Sequence, residues 1–143
     1  MNKPLTPPNN ELSTATNIAE QALIGSLLIE GACQNAKAIL EVRKLVAETD
    51  FRGYYENSSI INQIIHTRIF HAMLLCQYPH QINVANKMNE LGILKSSDCA
   101  YMSECIARVP CSLDYIQYAR SVKDYSLRRN GIKALENTKG VEL

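Results

Sequence analysis

Apolar residues in this sequence recur at intervals of three and four, and nowhere do they alternate with polar ones over a useful length. That pattern commits the chain to helices, because only a period near 3.6 places such residues on one face. No Asn-Gly or similar hairpin signal lies between apolar runs to argue for strands. The expected fold class is therefore all-α, a compact bundle of about six helices punctuated by its glycines, prolines and capping residues.

The segment 1–16 holds Pro4, Pro7, Pro8, Asn9 and Asn10, has no apolar period, and reads as a flexible tail. A first helix is expected from Asn17, which can cap it with Glu20 three residues on. Ile18, Ala22, Leu23 and Leu27 form its inner side. Gly25 interrupts that run at a cost of about 1 kcal/mol relative to alanine, which a close helix contact would explain. Gly31 is expected to end the segment. A second helix is expected over 34–48, then an aromatic and polar loop over 50–59, then a long third helix over 60–77 closed by Pro79. Asn83 reads as the cap of a fourth helix that Gly92 stops. Ser97 or Asp98 reads as the cap of a fifth that Pro110 ends. Ser112 reads as the cap of a sixth running to about Asn137, weakened at Gly131. The domain spans 17–137, leaving 138–143 as a tail or the start of a further hairpin arm. The expected core includes Leu23, Leu27, Ile64, Phe70, Met73, Leu91, Ile106 and Val122.

Chemistry is sparse. No glycine-rich phosphate loop followed by Lys and Ser/Thr is present, and GxSxG and HExxH are absent as well. The chain on its own is expected to be neither an enzyme nor a binder of a cofactor or metal. The cysteines number five, an odd count with no CxxC pair, and read as free thiols of a reducing cytoplasm. No secretory leader or membrane-spanning run of ~20 apolar residues is recognisable, so a cytoplasmic location is expected. Asn57-Ser58-Ser59 matches a glycosylation sequon by chance in such a chain. His66, His71, Cys76 and His80 sit near one another in sequence, but five-residue spacings on a helix spread side chains ~140° apart, so they read as partly exposed rather than as ligands. Net charge is +1, too balanced for a protein that binds nucleic acid mainly by neutralising phosphates. Arg120, Lys123, Arg128, Arg129 and Lys133 nevertheless give the last helix a basic character, with Tyr115, Tyr118 and Tyr125 interleaved. The pattern fits either a single-strand contact or, preferentially, a protein interface. From the residues alone the chain is an interaction module.

One set of short runs goes further. Ala19-Glu20-Gln21-Ala22-Leu23-Ile24-Gly25-Ser26-Leu27-Leu28 resembles the opening helix of the N-terminal domain of DnaB-like replicative helicases. Asp50-Phe51, His66-Thr67-Arg68-Ile69-Phe70-His71-Ala72-Met73, Leu91-Gly92-Ile93-Leu94, Tyr101-Met102, Val109-Pro110 and Tyr118-Ala119-Arg120 resemble further pieces of that domain in the same order. Ala19, Glu20, Gln21, Gly25, His66, Phe70, Gly92, Tyr101 and Pro110 are the signature positions. Extra segments near 11–16 and between Phe51 and His66, and Asp98-Cys99 in place of a glycine pair, mark a divergent member, of phage or mobile-element type. The resemblance implies a collar domain that pairs with other helicase subunits, binds a primase or helicase loader, and meets DNA only indirectly. ATP and magnesium would belong to a C-terminal domain outside this sequence. Tyr115, Tyr118, Tyr125, Leu127 and Arg128 are the candidate partner-binding residues. The alternatives are the helicase-binding domain of a primase, similar in fold, and a helical DNA-binding protein. Asp98 and Glu104 oppose phosphate contact by the fourth and fifth helices in the latter.

Overall fold

A computed structural model describes the backbone of residues 8–141 and the side chains of residues 14–131. The described residues form six α-helices and no strand: α1 (Pro8–Ala32), α2 (Ala36–Val42), α3 (Ile65–Met73), α4 (Gln81–Glu90), α5 (Asp98–Arg108) and α6 (Tyr115–Val141). Single 3-10 turns at Glu48–Asp50, Ile60–Asn62 and Ser112–Asp114 join them.

The long helix α1 is the axis of the bundle, packing most extensively against α5 and α6. Leu23, Ile24, Leu27 and Leu28 on it are fully or almost fully buried, against Phe70 and Met73 of α3, Met102 and Cys105 of α5, and Ala119 and Val122 of α6. Gly25 is what lets α5 approach: a Cβ there would run into the Cys105 carbonyl. The penalty for glycine inside a helix is thus offset by backbone-to-backbone packing. Gly31 does not end α1 as expected. It lies one residue inside, against the backbone of Pro79 and His80.

Gly92 does act as the stop of α4. Its φ is +73°, and the Gly92 and Ile93 amides donate to the Asn89 and Met88 carbonyls. This paired closure is a Schellman motif. It also corrects the assignment of Leu91 to the core: Leu91 is 41% exposed, and the reversal at Gly92 sends Ile93 inward in its place. Leu23, Leu27, Phe70, Met73 and Val122 are buried as expected, and Ile106 and Ile64 are partly so.

Several helix bounds differ from the expectation. α1 starts at Pro8, so residues 8–16 are helix rather than tail, and Asn17 caps nothing; residues 1–7 lie outside the described residues. Proline is favourable in a first turn, where its missing N–H has no helical partner to lose. Glu20, assigned to a capping box, is instead fully buried in mid-helix. α2 covers only 36–42, capped by Asn35 through the Lys37 amide, after which the chain turns to bury Val46. α3 is shorter than 60–77, because Gln63 pins the loop ahead of it. Its side chain accepts the Tyr55 amide and donates to the Tyr55 and Ser58 carbonyls. Asn83 lies within α4 and donates to the Tyr78 carbonyl. Ser112 precedes α6 and its hydroxyl donates to Glu30. α6 passes unbroken through Gly131, and its backbone stays helical to Val141, beyond the expected end at 137.

Candidate docking surface

Three buried polar clusters hold the helices in register. In the first, Glu20 accepts the Arg52 amide at 2.7 Å and pairs with His66 Nδ1 at 2.7 Å. His66 Nε2 meets the Tyr101 hydroxyl, and Gln21 donates to that hydroxyl at 3.0 Å. With Nδ1–H given to Glu20, Nε2 accepts the Tyr101 O–H and every group has a partner. His66 is 3% exposed, so the reading of it as a partly exposed histidine is corrected. Burial pushes the Tyr101 phenol well above its ordinary pKa. Burial also pushes the neighbouring Cys105 thiol up to about 11.

In the second, Arg68 and Asp98 form a two-pronged ion pair (2.5 and 3.2 Å) with Asp98 fully buried. Arg68 also donates to the Ile93 and Gln63 carbonyls, and Asp98 accepts the Lys95 amide. Asp98 therefore neither caps α5 as expected nor contributes to the surface field.

In the third, Asp50 accepts from Ser126 at 2.7 Å and Lys123 at 3.2 Å, while Arg129 donates to its carbonyl. Desolvation lowers the Arg129 pKa, partly offset by the nearby Glu20 and Asp50 carboxylates. Lys123 and Arg129 count in the basic character of the last helix, yet Arg129 is half-buried and Lys123, though partly exposed, is paired with Asp50. Among the described residues, Arg120 and Arg128 are the cations it keeps exposed.

These clusters set α1 and α6 side by side in opposite directions. Ser112, just ahead of α6, bonds Glu30 near the end of α1, whereas Arg129, late in α6, lies in the field of Glu20. An open groove of about 640 Å³ runs between them. Ala15, Ile18, Ala19 and Ala22 form one wall, spaced three and four apart. Tyr118, Ser121 and Tyr125 form the other, with Arg108 and Pro110 at the corner after α5. Ile18, expected inside, is 60% exposed in this groove.

The candidate residues on α6 divide accordingly. Tyr118 and Tyr125, seven apart, face the groove together, and Arg128 stands over the Tyr125 ring with its guanidinium carbon 5.5 Å from the centroid. Tyr115 points elsewhere, donating to Glu41 at 2.6 Å. That bond is the main cause raising its pKa. Leu127 is exposed, about 180° around the helix from Tyr118. Ala15, Ile18 and Arg108 were missed as groove residues. Starting the helix at Asn17 hid the helical spacing of Ala15 with Ala19 and Ala22.

A search of solved structures finds the crystal structure of the N-terminal domain of DnaB helicase from Mycobacterium tuberculosis, with a TM-score of 0.69 over 86% of this chain and 82% of that one. The chain has the fold of a DnaB N-terminal domain. Sequence identity to that structure is 21%. No protein-family model matches the chain, and no curated protein matches it in sequence. Several of the short runs picked out in the sequence also serve as packing points of this fold. Asp50-Phe51, for instance, fastens the turn before α3 to α6 through Asp50 and to Phe70 through Phe51, whose ring centroids are 4.9 Å apart. No helix among the described residues is long and apolar enough to cross a membrane.

Proposed function

We propose that this chain is the N-terminal docking and scaffold domain of a DnaB-type replicative DNA helicase, acting in the cytoplasm. In this role it does no catalysis. It pairs with other helicase subunits and binds a primase or helicase loader, while ATP, magnesium and DNA translocation belong to a C-terminal ATPase domain. The DnaB N-terminal fold across 86% of the chain is the observation that carries this reading. Half-buried Tyr125 and exposed Arg128 on α6 support the docking part, since tyrosine and arginine are the residues that most often dominate protein interfaces.

The test is capture of the cognate primase and loader by the immobilised chain. Tyr125→Ala and Arg128→Ala should each weaken capture by about tenfold, the loss of one interface anchor, with helicity and melting temperature nearly unchanged. Failure of the wild-type chain to capture either protein rejects the reading.

A further inference from the structure

The groove between α1 and α6 is built for a rod. Its walls are two helices, and the apolar positions on α1 from Ala15 to Ala22 repeat over about 10 Å of axis. That length matches about two turns of a guest helix. The α1 wall is small and apolar at Ala19 and Ala22. Ile18 stands exposed on one rim, with Tyr118 and Tyr125 on the other. Such a trough receives side chains spaced three and four apart and offers no exposed sheet edge for an extended strand.

Charge sets which helix fits. Arg128 lies at the Tyr125 end, exposed, stacked on that ring and without a carboxylate partner among the described residues. Arg108 lies at the corner by Pro110, tied to Glu104 across one turn, with both side chains largely exposed. A surface pair of that kind is weak and exchanges readily for a better-placed carboxylate. Both ends of the apolar trough thus present a guanidinium, the group best suited to carboxylates.

We infer that the groove is the receptor for an amphipathic helix of a partner protein, with an apolar stripe laid between Ile18 and Tyr125 and acidic residues flanking it toward Arg128 and Arg108. This inference rests on the docking role proposed above and specifies its chemistry.

The probes are two designed helical peptides of about 18 residues, the length at which short helices become appreciably populated. Both carry leucines at i, i+4, i+7 and i+11. One has glutamates on the flanks and its twin has lysines. Titrated into the full chain and followed by amide resonances, the glutamate peptide should shift signals around Ile18 and Tyr125. The lysine twin should bind about tenfold more weakly, the scale of an unfavourable charge placement at a rim. Arg128→Glu should reverse the preference, and Ile18→Glu should abolish binding, each with an unchanged melting curve. The proposal is overturned by no binding of either peptide, by equal binding of both, or by shifts confined to another face. Capture of primase or loader without peptide binding leaves the helicase reading standing and removes this one. Peptide binding without capture of either removes the helicase reading and leaves the groove.

Discussion

Arg68 and Asp98 illustrate how much of this fold depends on charge placed inside it. Asp98 is fully buried, and its oxygens are met by the Arg68 guanidinium and the Lys95 amide. Deleting one partner strands the other in a medium that cannot solvate it. Arg68→Met should therefore cost about 3–5 kcal/mol in urea unfolding, and Arg68→Met with Asp98→Leu should cost less than the single change. A double variant as unstable as the single one would show that the backbone bonds, not the charge pair, carry the effect. Cys105 provides a second residue-level test. Its thiol pKa is about 11 in the folded chain against 9.0 in a free thiol, because burial penalises the thiolate. Above pH 9 the unfolded chain therefore loses this proton first, and stability falls as pH rises toward 11. Cys105→Ala lowers stability at pH 8 by its cavity, yet it should flatten the decline between pH 9 and 11. An unchanged slope in urea midpoints would place the thiol in contact with water. None of this was legible in the sequence. Arg68, Asp98 and Glu20 are ordinary surface residue types, and only the fold turns them inward. His66, too, becomes internal only once Glu20 and Tyr101 are brought to either side of it.

At the scale of the element, some stops were legible and several starts were not. Gly92 and Pro110 end α4 and α5 where the sequence indicates, because a left-handed residue and a missing donor act locally. Starts were misplaced at Asn17, Asn83 and Ser112, whose side chains resemble caps. Asn83 and Ser112 instead make tertiary bonds. Two glycines separate these influences experimentally. Gly92→Ala places a Cβ at φ +73° and should destabilise by about 1 kcal/mol or more, although open space surrounds it. Gly131→Ala also meets open space, but within a continuous helix, so it should stabilise α6 by about 0.5–1 kcal/mol and raise helicity. Thermal unfolding of the pair gives opposite signs if α6 is continuous through Gly131. A loss of stability at both sites contradicts that continuity. The groove belongs to this scale as well. Tyr118 and Tyr125 were visible as an aromatic stripe, but the facing wall was not, because Ala15 lies in a stretch whose prolines and asparagines suggested a tail and Ile18 was read as inward-facing.

For the whole molecule, the arrangement of charge bears on whether this face suits a protein partner or a nucleic acid. The sequence lends α6 a run of cations interleaved with tyrosines, which is also the composition of a single-strand platform. Folding dismantles that platform. Lys123 and Arg129 are drawn onto Asp50, and Tyr115 is committed to Glu41. Tyr118 and Tyr125 are partly buried along the groove, leaving Arg120 and Arg128 as the exposed cations of α6 among the described residues. Each phosphate contact contributes a slope of about −0.7 in log affinity against log salt for a single strand, so the two exposed cations of α6 among the described residues give a slope of about −1.4 and little affinity. The side chain of Lys133 lies outside the described residues. Binding of a labelled oligothymidine, followed by anisotropy, should accordingly be weak at 20 mM salt and undetectable at 150 mM. Arg120→Ala and Arg128→Ala should remove most of what remains. Tight binding that survives 150 mM salt would require a cationic or stacking surface that these side chains do not form, and would favour direct nucleic-acid contact over protein docking as the work of this face.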